Sequence, residues 1–163
     1  MKKLFLSTLS TFAALAILTV GAQAEVVRPA PNFTCAAGKT LKSWKGQPVV
    51  LLIAPSPRSS AFRKQARRIE AVYHEFAARN ALFVVAFTDP ESVGQPVPSN
   101  LPFVVANNGA KVASDYGFDG KFSVSVIGKD GNLDLNTSKV VPASRIMDMI
   151  LNNYEQQAAE RKL

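Results

Sequence analysis

Chemistry in this sequence has few places to sit: a single cysteine, Cys35, a single histidine, His74, and the turn Ala54-Pro55-Ser56-Pro57-Arg58-Ser59-Ser60. The turn lies between a continuous apolar run and a basic stretch with helical periodicity. A helix start leaves backbone N–H groups without partners and carries the positive end of the helix dipole, so it favours negative charge. Arg58 beside the hydroxyls of Ser59 and Ser60, with Arg63 and Lys64 a turn further on, suits phosphate, sulfate or a carboxylate. These residues form the candidate anion- or partner-binding site. The plainer reading of the same stretch is a solvated helix face, with Ser59 or Ser60 capping the helix and Arg67 paired to Glu70 at i, i+3.

A serine nucleophile needs a positioned base. His74 is fourteen residues beyond Ser60 on the same expected helix, or about 21 Å at 1.5 Å per residue, so the two form no dyad within one chain. Cys35 is flanked by Asn32-Phe33-Thr34 and Ala36-Ala37-Gly38, with no adjacent base or cation to lower its pKa. It reads as a buried, inert side chain, the alternative being a free thiol. One His and one Cys, 39 positions apart, make no metal-ligand pattern. The acidic segment Lys129-Asp130-Gly131-Asn132 lacks the alternating spacing of a calcium loop and reads as a hairpin turn. No metal and no cofactor is expected.

The elements that must position these residues begin after a leader. Residues 1–24 have the form of a secretory signal peptide: Lys2 and Lys3, an apolar stretch, then Ala22-Gln23-Ala24 as the cleavage site. The chain from Glu25 to Leu163 suits one domain with a proper core. Losing the two leader lysines lowers the formal charge from +7 to +5, a moderately basic balance that gives solubility and weak attraction to anionic surfaces. Export makes a periplasmic or secreted location the expectation, with no membrane span after cleavage and no nucleic acid as partner. A single cysteine also rules out an internal disulfide.

Val49 to Ile53 and Leu82 to Phe87 are unbroken apolar runs, the pattern of strands buried on both faces. Pro55 and Pro57 end the first. A helix is expected over Ser60 to Ala78, with Phe62, Ala66, Ile69, Val72, Tyr73 and Phe76 on one apolar face. The proline-rich stretch from Thr88 to Pro102 is a loop. Phe33 to Cys35 and Phe103 to Ala106 read as short strands, Leu41 to Gln47 as a helical turn or loop, and Ala110 to Tyr116 as a short helix. Ser123 to Ile127 and Leu133 to Asn136 form a hairpin, and Pro142 starts the last helix. The order gives a mixed α/β sheet.

This order resembles the thioredoxin fold, and several segments resemble its peroxiredoxin-like branch. Pro31-Asn32-Phe33 through Pro55 is similar to the peroxiredoxin opening, Leu101 to Phe118 to the segment before that group's hairpin, and Ser123 to Leu135 to the thioredoxin-fold hairpin. A similar pattern occurs in an uncharacterised thioredoxin-like family, a domain of unknown function with some secreted extracellular-matrix members. The resemblance implies a thioredoxin-like fold with a mixed central sheet and flanking helices over residues 25–163. It also exposes departures. Thioredoxins carry Cys-x-x-Cys at the turn opening the first long helix, where this chain has Pro57-Arg58-Ser59-Ser60. Peroxiredoxins carry a Thr-x-x-Cys in that region, and no cysteine occurs here after Cys35. Phe122 or Ser123 stands at the place of the substrate-docking cis-proline.

The resemblance therefore implies a retained fold without the thiol chemistry. The leading expectation is a binding or interaction module, not an enzyme, for a small anion or an envelope or extracellular protein. The alternatives are a peroxiredoxin-like thiol oxidoreductase using Cys35, and a structural protein of the cell envelope.

Overall fold

The computed structural model describes residues 28–160, with side chains described as far as Asn152. The expected leader and its cleavage site lie outside the described residues.

The first apolar run forms β1 (Val49–Ala54), every residue of it buried. It pairs in parallel with β2 (Leu82–Phe87), which pairs in parallel with β3 (Phe103–Val105). On its other side β1 pairs antiparallel with β4 (Ser123–Ile127), and β4 antiparallel with β5 (Leu133–Thr137). The sheet order is β3-β2-β1-β4-β5. The helices are α1 (Ser60–Glu70), α2 (Tyr73–Ala77), α3 (Gly109–Asp115) and α4 (Ala143–Glu160).

The unbroken apolar runs follow from this sandwich. Successive strand side chains point to opposite faces, and both faces are covered. Val50, Leu52 and Ala54 face one core with Phe62, Ala66 and Ile69 of α1, Phe76 of α2 and Ile146 of α4. Val49, Leu51 and Ile53 face a second core with Phe33, Cys35, Trp44 and Val112 of α3.

Three expectations are corrected. The helix from Ser60 to Ala78 is two helices. The Val72 backbone, at φ −129° and ψ 26°, breaks it, and its N–H donates to Ile69 O at 3.1 Å. Val72 and Tyr73 are consequently only half-buried, while Phe76 is fully buried. Phe33 to Cys35 is not a sheet strand but makes isolated bridges, Thr34 to Thr40 and Cys35 to Ala106. The chain turns back at once there: Ala37 and Gly38 adopt φ of 59° and 69°, and Cys35 N–H donates to Lys39 O at 2.7 Å. The loop after β2 contains a 3-10 turn, Pro90–Ser92, capped by Asp89, whose side chain accepts from Glu91 N–H at 3.0 Å.

The segment from Arg28 to Pro31 lies over the domain. Leu133 N–H donates to Arg28 O at 2.9 Å, and Tyr116 Oη donates to Pro31 O at 2.8 Å. Leu41–Trp44 forms the expected helical turn, held by reciprocal bonds between Thr40 and Ser43. The Asp130-Gly131 hairpin also forms, with Gly131 at φ 86° and its N–H on Gly128 O at 3.0 Å.

Candidate functional site

The turn at the end of β1 is anchored on both sides. Thr88 N–H donates to Ala54 O and Asp89 N–H to Pro55 O, each at 3.0 Å, so the start of the next loop braces it. Ser59 N–H donates to Ser56 O at 3.1 Å, closing a turn with Pro57 at its second position, where a fixed φ is favoured. Pro57 is buried and Arg58 exposed.

The hydroxyl-capping expectation fails. Ser59 is the N-cap residue, its carbonyl accepting from Arg63 N–H at 3.0 Å, but no side chain caps the helix. No acidic residue lies in the first turn of α1 either. The head of the helix thus has neither of the usual compensations for its free N–H groups and positive dipole end.

The expected residues are only partly brought together. Ser60, Arg63 and Lys64 line an open groove of about 670 Å³ along the outer face of α1, joined by Arg67, Arg68 and Ala71. Arg58 and Ser59 stand in the turn ahead of it and do not line it. The Arg67–Glu70 pair does not form. Glu70 instead accepts from Asn100, through the backbone N–H at 3.2 Å and through Nδ2. None of Arg63, Lys64, Arg67 and Arg68 is ion-paired to a described residue.

Arg67 and Arg68 join the groove because they repeat Arg63 and Lys64 one turn later. Gln65 was missed. It sits three residues from Phe62 and four from Ile69, inside the apolar stripe, and is fully buried. Its Oε1 accepts from Val141 N–H at 2.8 Å, tying α1 to the segment leading into α4, and its Nε2 has no partner among the described residues.

Cys35 is fully buried in the core on the sheet face opposite α1. Burial pushes its thiol up to about 11, the reverse of what a thiolate nucleophile requires. His74 is exposed on α2, a different helix from Ser60. Among the described residues no three His, Cys, Asp or Glu side chains gather as metal ligands, and no helix is long and apolar enough to cross a membrane.

No protein-family model matches the chain, and no curated protein matches it. Solved structures do. A protein assigned as the thiol:disulfide interchange protein DsbE of Chlorobium tepidum superposes with a TM-score of 0.61 at 19% identity, over 78% of this chain and 96% of that one. The peroxidoxin BcpB of Mycobacterium tuberculosis gives 0.55 at 19% identity, over 80% and 96%. A thiol:disulfide interchange protein from Bacteroides sp. gives 0.59 at 17% identity, over 75% and 86%. At these identities the likeness is one of fold.

Proposed function

We propose, taking the thioredoxin-like fold of this chain as the premise, that it is an exported binding module without thiol redox activity, and that it recognises a small anion or an acidic partner at the head of α1. The observation that carries the reading is what occupies that place. Pro57-Arg58-Ser59-Ser60 stands at the helix start, uncapped by any side chain and flanked by Arg63 and Lys64. The chain's one thiol is buried on the opposite face of the sheet. A helix head with free N–H groups and adjacent guanidinium donors favours an oxyanion. The resemblance to an uncharacterised thioredoxin-like family with some secreted members supports the same reading. So does the apolar leader for export to a periplasm or beyond the cell.

The test is calorimetric titration of phosphate, sulfate and short acidic peptides into wild type and Arg58→Ala. Binding to wild type is expected to weaken as salt rises, because exposed charges are screened within about 10 Å at 0.1 M salt. Arg58→Ala is expected to lose it with the fold intact. Equal binding by Arg58→Ala, or no binding by wild type, overturns the assignment.

A further inference from the structure

The outer face of α1 carries Arg63, Lys64, Arg67 and Arg68 in two adjacent rows, Arg63 over Arg67 and Lys64 over Arg68, each at i, i+4. This arrangement works against the helix. Like charges four apart repel, and Arg63 and Lys64 lie toward the dipole end that disfavours cations, with no acid in the first turn to offset them, whereas Arg67 and Arg68 lie in the last turn, where the dipole favours them. The helix has one carboxylate, Glu70, and it is engaged by Asn100. Glu70 keeps its charge but pairs with none of Arg63, Lys64, Arg67 and Arg68, so the four cations have no ion-pair partner among the described residues, and a polyanion laid on the face would relieve their repulsion.

Shape narrows the occupant. The groove follows the helix from Ser60 to Ala71, eleven steps of about 1.5 Å, or roughly 16 Å. That length matches about five residues of an extended peptide at 3.3 Å each. The two ends of the groove are the small residues Ser60 and Ala71, which let a backbone approach closely. Three of the four cations are arginines, whose planar forks donate to carboxylates in bidentate fashion. A membrane surface fits less well. Peripheral helices bind with large apolar side chains beside their cations. Here the large exposed hydrophobics among the described residues, Val93 and Val105, lie on the loop after β2 and on β3.

We infer that the α1 face docks an extended acidic segment of a partner protein, its carboxylates spread along Arg63, Lys64, Arg67 and Arg68. This rests on the reading above that the head of α1 takes anions, and extends it from a point to a line about three turns long.

The probe is an acetylated, amidated hexaglutamate peptide, compared with inorganic phosphate and with vesicles of anionic phospholipid. Arg67→Glu with Arg68→Glu is expected to weaken hexaglutamate binding about tenfold, the effect of reversing one exposed and one half-buried charge. Phosphate binding, which needs only the helix head, is expected to change less than about twofold. Arg67→Gln with Arg68→Gln is expected to give an intermediate loss. It also serves if the reversal disturbs the helix, which circular dichroism checks. Hexaglutamate binding unchanged in both double variants overturns the docking line while phosphate binding sustains the site at the helix head. Absence of both ligands from wild type overturns the two readings together. Vesicle binding that hexaglutamate fails to displace assigns the face to a lipid surface and overturns the inference.

Discussion

Native Cys35 should behave as a thiol that chemistry cannot reach, and the size of that effect can be worked out. Burial raises the Cys35 thiol from 9.0 to about 11, so at pH 7 it is thiolate about 100-fold less often than an unburied thiol, before its complete burial adds the requirement that the domain open for a reagent. An aromatic disulfide reagent should therefore react with the native chain at least about 100-fold more slowly than with the same chain in denaturant. The raised pKa also sets an alkaline stability slope. The folded state holds the proton more tightly than the unfolded state. The stabilisation is complete below about pH 9.0 and is lost as pH rises towards about 11. The full effect is about 3 kcal/mol, at 1.36 kcal/mol per pKa unit. Buried Tyr116, raised further by burial and by the neighbouring Asp115 charge, adds a loss that begins at higher pH. Urea titrations at pH 8, 9.5 and 10.5 should show wild type losing stability more steeply than Cys35→Ala. A native reaction rate within about tenfold of the denatured rate, or identical pH slopes in the two proteins, refutes the assignment of Cys35 as inert.

Other expectations concern how the site is held. Ile69→Ala, at a fully buried position of α1, should cost about 2–5 kcal/mol in urea unfolding; a loss below about 0.5 kcal/mol would be surface behaviour. Gly109→Ala should destabilise by about 1–3 kcal/mol or more, because the added Cβ would fall 1.8 Å from Phe87 O, a backbone atom at the end of β2; an unchanged melting temperature contradicts that packing. Gln65→Leu should cost about 1–3 kcal/mol by leaving Val141 N–H buried without its acceptor. A neutral result would mean that the bond between α1 and the segment before α4 carries no net stability.

Most of the architecture was legible because it is written in burial patterns. Val49 to Ala54 and Leu82 to Phe87 could not be continuously apolar unless both faces of the sheet were covered, and they are. Asp130-Gly131 announced its hairpin through the φ > 0 that the turn requires. What failed was decided by competition between local signals. The periodicity from Phe62 to Phe76 is unbroken in residue type, yet nothing in it marks the kink at Val72. The β-alternation at Phe33 to Cys35 loses to the turn at Ala37 and Gly38.

At the site, residue types identified the basic face, but partner choice is a tertiary matter. Glu70 is placed to reach Arg67 by helical spacing and is taken instead by Asn100, thirty residues away. Ser59 has the right identity and position for a cap, yet its side chain makes no capping bond. Gln65 was passed over, because its partner, Val141 N–H, is brought to it only by the fold.

The central claim is that this thioredoxin-like fold uses the α1 end of its first core strand for anion recognition and not for thiol chemistry. The most direct measurement is a map of amide shifts in the isotopically labelled chain during titration with phosphate and then hexaglutamate. The account predicts that phosphate moves the amides from Ser56 to Phe62, that hexaglutamate extends the shifts through Arg67 and Arg68 to Ala71, and that amides around Cys35 and Ala106 stay still. Shifts centred on Cys35, or none along α1, would contradict it.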